Sequence, residues 1–315
     1  MDWVKNQHYV PQAYLRNFAI SGRESLYCFN KDSGEILEKP TSIRNIASER
    51  YFYDIKGIDE QIVEKIFGKL EDDFGPFIKR FKAKCDLHKK GVPFSRSAPV
   101  LTEVERNYLS SWLAVQFLRT RDMRDIILEV YNKIALELKI HGIDEDFELE
   151  KSDHPYVHSL VLFGTKIYST TVQIFKDLIW TVGVNTTRFP LYTSDTPVQS
   201  GNAKHNISMV GGFQSEGSFV TYPLSSEYIL VLQERSYFAN QYEVLENKLV
   251  PVTIDGVNLF NRMQVLGAYR MVFCQQRKFE FAQAVHKRTI KSGNRVSHGV
   301  IADKVREIVK KQLIE

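Results

Sequence analysis

Thr102–Arg121 reads TEVERNYLSSWLAVQFLRTR, and the fold class turns on this stretch. Thr102 with Glu105 three residues on forms a capping box, in which hydroxyl and carboxylate each satisfy a backbone N–H left over at a helix start. Val104, Tyr108, Trp112 and Val115 follow at helical spacing and predict a helix with an apolar stripe. A second helix is expected from Met123 to Ile140, on Ile126, Ile127, Val130, Ile134 and Leu138, with His141-Gly142 ending it. A third is expected from about Tyr156 to Trp180. Upstream, Ile58, Ile62, Ile66, Leu70, Phe74 and Phe77 predict a helix to about Phe81, broken or kinked at Gly75-Pro76. The basic stretch 79–96 then reads as a loop.

Strand-like sequence lies on both sides of this helical middle. LYCF and EIL flank the polar turn KDSG and predict a hairpin near the N-terminus, with ERYFYDI as a third strand. After Trp180, the segments TVGV, RFPLYTS, SFVTYPL and EYILVLQ read as strands, with residues 200–217 as a loop. A short helix near Asn258–Ala268, the strand YRMVFCQ and an amphipathic helix in GVIADKVREIVKKQLIE complete the chain. The fold class expected is α+β: a helical central region packed with the N-terminal hairpin and a mainly antiparallel C-terminal sheet. One domain over residues 1–285 and a basic C-terminal extension over 286–315 are expected. Whether the strands join into one sheet is not decided by the pattern.

Composition narrows the class further. Among 315 residues, 43% are hydrophobic and 25% charged, which excludes a disordered or collagen-like chain. Cys28, Cys85 and Cys274 lie far apart with no CxxC pair, which argues against a zinc site or disulfide scaffold and fits a reducing, cytoplasmic setting. No apolar run approaches the roughly 18 residues of a membrane span, and MDWVKNQHYVPQ lacks the apolar core of a signal peptide. No membrane association is expected. GxSxG, GxxxxGK[ST] and GxGxxG are absent, which disfavours a hydrolase elbow, a P-loop and a dinucleotide site. The nuclease spacing Asp…Glu-x-Lys is not cleanly present.

Three polar groups stand out. His8 precedes Pro11, a residue suited to the first turn of a helix, so His8 would lie at the positive end of a short helix. It reads either as a general acid/base or phosphate contact, or as an anchor for the N-terminal element. Gln116 and Arg119 share a helix face. Arg119 suits bidentate phosphate or carboxylate binding, or an ion pair at the helix end. Asp195, in Ser194-Asp195-Thr196-Pro197, reads as a turn carboxylate bonded to backbone N–H groups, or as a catalytic or metal-holding aspartate on a strand end. His154 and His158 have i,i+4 spacing, but without the glutamate of HExxH they are a weak metal signal. Residues 287–311 carry eight basic residues against Asp303 and Glu307, a local excess larger than the whole chain's +4. Together with 79–96, they could draw an anionic polymer such as nucleic acid.

HYVPQAYLRNFA, IRNIASERYFY, the ending QFLRTR, Trp180 before a strand, SDTPV and YPLS occur in an order and spacing that resemble the bacterial domain-of-unknown-function family 4238. The likeness runs from about His8 to Gln275. It implies a bacterial cytoplasmic protein with a suspected role in conflict with phages or mobile elements. Gln7 stands where a second histidine often precedes the motif, and Arg121 where a proline is expected, so the helix is expected to run on past Arg119. The family motifs make a shared pocket for His8, Arg119 and Asp195 easier to expect. Two functions follow. In the first, a phosphodiester hydrolase (a nuclease-like effector), His8 is the general acid/base and Arg119 stabilises phosphate charge. Asp195 orients His8 or holds Mg2+, and Gln12, Gln116 and Arg121 bind substrate. The alternative is a non-catalytic recognition or sensor module for nucleic acid or a protein partner, with His8 as anchor and Asp195 bonded to backbone.

Overall fold

The computed structural model describes residues 3–58, 60–91, 99–143, 148–204 and 212–292. In chain order, β1 (Asn6–His8), the one-turn helix α1 (Gln12–Leu15), β2 (Ser25–Asn30), β3 (Glu35–Ile36), β4 (Thr41–Ser42) and β5 (Ser48–Arg50) come first. The helical middle is α2 (Ile62–Gly91), α3 (Glu103–Leu118), α4 (Arg121–Ile140), α5 (His154–Ser159) and α6 (Ile167–Asp177). Then follow β6 (Ile179–Asn185), β7 (Thr193–Ser194), β8 (Gln199–Asn202), β9 (Ser218–Pro223) and β10 (Tyr228–Gln233). Last come α7 (Ala239–Leu245), β11 (Lys248–Val252), α8 (Ile254–Gly267), β12 (Met271–Cys274) and α9 (Glu280–Ser292). The fold is α+β. No described helix is long and apolar enough to cross a membrane.

A five-stranded sheet in the order β11-β6-β10-β9-β8 carries the main core; it is antiparallel except where β11 runs parallel to β6. Period-2 alternation divides its faces. Trp180, Val182, Val184, Leu230 and Leu232 point to the largest core, which α1, α2, α3 and α6 close from the other side. On the opposite face Ile229, Val252 and Val257 form a smaller cluster. Gly183 lets Ile229 of β10 and Val252 of β11 close over β6 on this face: a Cβ there would stand 2.7 Å from methyl carbons of both. Tyr14 of α1 plugs the main core, its hydroxyl donating to the Pro223 carbonyl at 2.7 Å while its ring stacks on Tyr222. Trp112 stacks on Phe74 and donates its indole N–H to the Tyr222 hydroxyl.

The strands do not join into one sheet. The N-terminal hairpin pairs through β2 with β12 from the far end, in the order β3-β2-β12-β7, with β4 also on β2. β1 and β5 form a separate antiparallel pair. The expected hairpin is there, with Phe29 opposite Ile36. Thr102 and Glu105 form the expected capping box at the start of α3.

Several expectations need correction. The stretch 79–91 is not a loop, since α2 continues through Pro76 to Gly91. The proline removes one backbone bond, but buried Phe74, Phe77, Ile78, Phe81 and Cys85 carry the helix past it. Residues 92–98 lie outside the described residues. The inner face of α2 begins with Val63 and Phe67, while Ile58, Ile62 and Ile66 are 41, 46 and 39% exposed. ERYFYDI gives only two strand residues, Glu49 and Arg50, before it turns, and RFPLYTS likewise only two. In the latter, Pro190 has no N–H, and Tyr192 N–H turns to the Asn261 side chain instead of a strand. The helix does not run on past Arg119: Thr120 caps the start of α4 by accepting from Met123 N–H. The third helical run is α5, a π-helical turn at Leu160–Gly164, and α6. The boundary drawn at residue 285 falls inside α9. The amphipathic segment 299–315 lies outside the described residues.

Candidate functional site

His8 ends β1, and backbone pairing with Ser48 fixes its position. The residue is 7% exposed, and Nε2 lies 3.3 Å from the Ile43 carbonyl. A carbonyl only accepts, so Nε2 carries the proton. Burial pushes the imidazole down to about 4, against the Ile43 bond and with help from the Arg119 and Arg16 charges. It is neutral at pH 7. Gln12 is half-buried on α1.

Arg119, at the C-terminal end of α3, is 1% exposed. Its Nη2 donates to the His8 carbonyl at 2.6 Å and to Glu71 Oε1 at 3.0 Å, and Nε to the Tyr53 hydroxyl at 3.3 Å. The guanidinium lies 4.0 Å from the Phe67 ring centroid, with Tyr53 on another side. Burial opposes its charge, but the Tyr53 oxygen and the Glu71 carboxylate hold the group protonated. The ion pair was one of two readings of this arginine; the partner lies 48 residues away rather than at the helix end.

Arg124 repeats the pattern one turn into α4. It sits 3.4 Å over the Phe52 ring, donates to the Phe52 carbonyl, and gives its Nε–H to His158 Nδ1 at 3.2 Å. His158 in turn donates from Nε2 to the Leu118 carbonyl at 2.7 Å. Both imidazole nitrogens are therefore used, and burial and Arg124 push the ring down to about 3. His154 and His158 do not form a metal pair. Among the described residues, no group of three or more His, Cys, Asp or Glu is placed to hold a metal ion.

Gln116 donates to the Tyr9 carbonyl at 3.2 Å, and its Oε1 is buried without a hydrogen bond. Arg121 bonds Asp125 at 3.1 Å and Glu49, and Tyr269 donates to the second Asp125 oxygen at 2.8 Å. This network is partly open, with the Arg121 side chain 30% exposed.

Asp195 follows β7 and is fully enclosed. Its Oδ2 accepts the backbone N–H groups of Arg270 at 2.8 Å and Met271 at 2.7 Å, while Oδ1 is buried with no hydrogen bond. Burial pushes the carboxyl up to about 7; the backbone bonds pull it back only in part, and the Asp122 charge adds to the rise. The electrostatic neighbours of Asp195 include Tyr9 and Lys31. Lys31 Nζ donates to the Leu266 and Ala268 carbonyls. Ser194 and Gln264 hold the Asp-Thr-Pro turn from below, Ser194 Oγ reaching Gln264 Oε1 at 2.7 Å.

Of the three polar groups, His8 and Arg119 are joined through a backbone carbonyl, and Asp195 has partners of its own. Sequence reading missed Tyr9, Tyr53, Glu71 and Arg124, which complete these knots. The aromatic density of ERYFY was a signal for the rings that receive the two arginines.

Basic charge is displayed elsewhere. On α2, Lys84 and Lys89 pair with Glu105 and Glu227. Lys79, Arg80, Lys82 and Lys90 have no ion pair among the described residues. Of the segment 287–311, only residues 287–292 are described, at the end of α9.

The sequence model of one family, described as "Protein of unknown function (DUF4238)", matches residues 6–278. No curated protein and no solved structure matches.

Proposed function

We propose, for a chain that belongs to the DUF4238 family, a recognition module that holds nucleic acid along the basic half of α2 and leaves it uncut. The observation that carries this reading is the state of Arg119. A guanidinium that is 1% exposed, with Nε held by Tyr53 and Nη2 by His8 and Glu71, is enclosed where a phosphate in transit does not reach it. The neutral, enclosed His8 supports the same reading, since a general acid/base must reach the proton it moves. Lys79, Arg80, Lys82 and Lys90, which carry no ion pair among the described residues, supply the sequence-independent attraction such a module needs.

Hydrolysis is a second reading, with one observation in its favour. Asp195 keeps an oxygen without a hydrogen bond and a carboxyl that titrates near neutrality, as an acid–base group does. One experiment separates the two. The full chain is titrated into labelled single-stranded DNA, duplex DNA and RNA at 50 and 200 mM salt, roughly the range over which phosphate contacts weaken binding. The same mixtures are incubated with and without Mg2+ and run on gels. Binding that weakens with salt, without cleavage, is expected. Cleavage abolished in Asp195→Asn would replace this reading with the hydrolytic one, and absence of binding at the lower salt would end it.

A further inference from the structure

Gly75, Ile78, Lys79, Lys82, Ala83 and Asp86 follow one another on α2 at steps of three, one, three, one and three, and so share one face. α1 and the turn after it cover this face only in part. A groove of about 400 Å3 remains, closed on the far side by Ala13, Arg16 and Asn17. Small residues make it: alanine at 13 and 83 and glycine at 75 place no bulk in the gap, and nothing lies within 4 Å of where a Gly75 Cβ would stand. The volume falls in the range of small-ligand sites, roughly 300–1,000 Å3.

The walls carry three cations, Arg16, Lys79 and Lys82, against one acid, Asp86. Lys79 and Lys82 have no ion pair among the described residues. Arg16 is engaged by Glu24 through Nε alone, at 2.9 and 3.2 Å, which leaves both Nη groups as donors. Asp86, the one acid of the lining, accepts the Tyr228 hydroxyl on Oδ1. The apolar part of the lining is Ala13, Ile78 and Ala83. A guanidinium fork and two ammonium groups beside a short apolar stretch suit a tetrahedral anion that carries an organic body.

We propose that this groove is a phosphate-ester site, filled by a phosphodiester of a nucleic-acid strand or by a free nucleotide. The polymer source rests on the function proposed above; the chemistry of the groove does not. Three full-length variants test it against wild type. Lys79→Ala with Lys82→Ala removes two cations, and Ala83→Phe adds bulk to the lining while keeping every charge. Lys65→Ala with Lys69→Ala removes two cations from the same helix outside the groove.

Binding of a labelled oligonucleotide is read by anisotropy across a salt series, and binding of adenosine 5′-monophosphate by calorimetry, with thermal melts to confirm folding. The groove predicts that the 79/82 variant loses about tenfold in affinity and that its salt slope shrinks by about two. Ala83→Phe should weaken binding several-fold at an unchanged slope, and the 65/69 variant should stay within about twofold of wild type. An oligonucleotide bound equally by wild type, the 79/82 variant and Ala83→Phe would overturn the groove and leave the module reading standing. Nucleotide binding lost in the 79/82 variant, with no oligonucleotide binding in wild type, would keep the groove and end the polymer reading. A wild type that takes neither ligand would end both.

Discussion

Removing the Arg119 guanidinium would leave the His8 carbonyl and the Glu71 carboxylate facing each other's empty partner. Loss of one side of a buried ion pair costs about 3–5 kcal/mol, and Arg119→Met is expected to cost that much in urea denaturation. Arg119→Lys should recover little, because a point charge cannot serve three oxygens on a planar fork. The enclosed titrating groups also set the sign of the pH response. His8 and His158 are held below the ordinary imidazole value, so the unfolded chain binds more protons and stability rises from about pH 4 to 6.5. Asp195 has the opposite sign: its carboxyl titrates near 7 in the fold against an ordinary value of 3.8, so its contribution falls as the pH rises between the two. The stability of wild type relative to Asp195→Asn should therefore decline as the pH rises from 5 to 8 and level off above. A difference that grew with pH instead would show Asp195 held as a stabilising anion.

At the scale of the element, α2 shows how a helix can tolerate a residue that opposes it. Pro76 is exposed and takes one N–H from the ladder, yet the helix continues because the flanking apolar residues are buried. Pro76→Ala should restore that bond and raise stability by about 1–3 kcal/mol, read from the shift in denaturation midpoint. The helical character of this segment was legible, but its inner face was not. Ile58, Ile62 and Ile66 satisfy helical spacing as well as Val63 and Phe67 do, and only Val115, Leu118 and Leu162 packed against the second set decide between them. The capping box at Thr102 was legible because its partners stand three residues apart. The end of α3 at Arg119 was harder to see, since the threonine that caps the next helix looks in sequence like part of a continuing one.

Over the whole molecule, the two ends of the family match are stitched together. β2 pairs with β12, so Cys28 lies opposite Phe273, and α8 and α9 pack against the sheet that results. This closure encloses Asp195, whose carboxylate receives the N–H groups that open β12. It also divides the polar groups into two populations. His8, Arg119 and Asp195 are turned inward as ties between segments, whereas Lys79 and Lys82 of α2 line a groove together with Arg16. Binding measurements on the full chain address the outward population, and stability measurements the inward one.

By itself the sequence determined the family, through motifs ordered along the chain, and the α+β class, the hairpin and most of the helices, through spacing and capping between near neighbours. What His8, Arg119 and Asp195 are free to do was decided by the tertiary structure. Arg119 meets the His8 carbonyl across 111 positions, and Asp195 meets β12 across 75. A guanidinium or carboxylate reads the same in sequence whether it is open to water or already bonded, and only long-range packing supplies the partners that take up its hydrogen bonds.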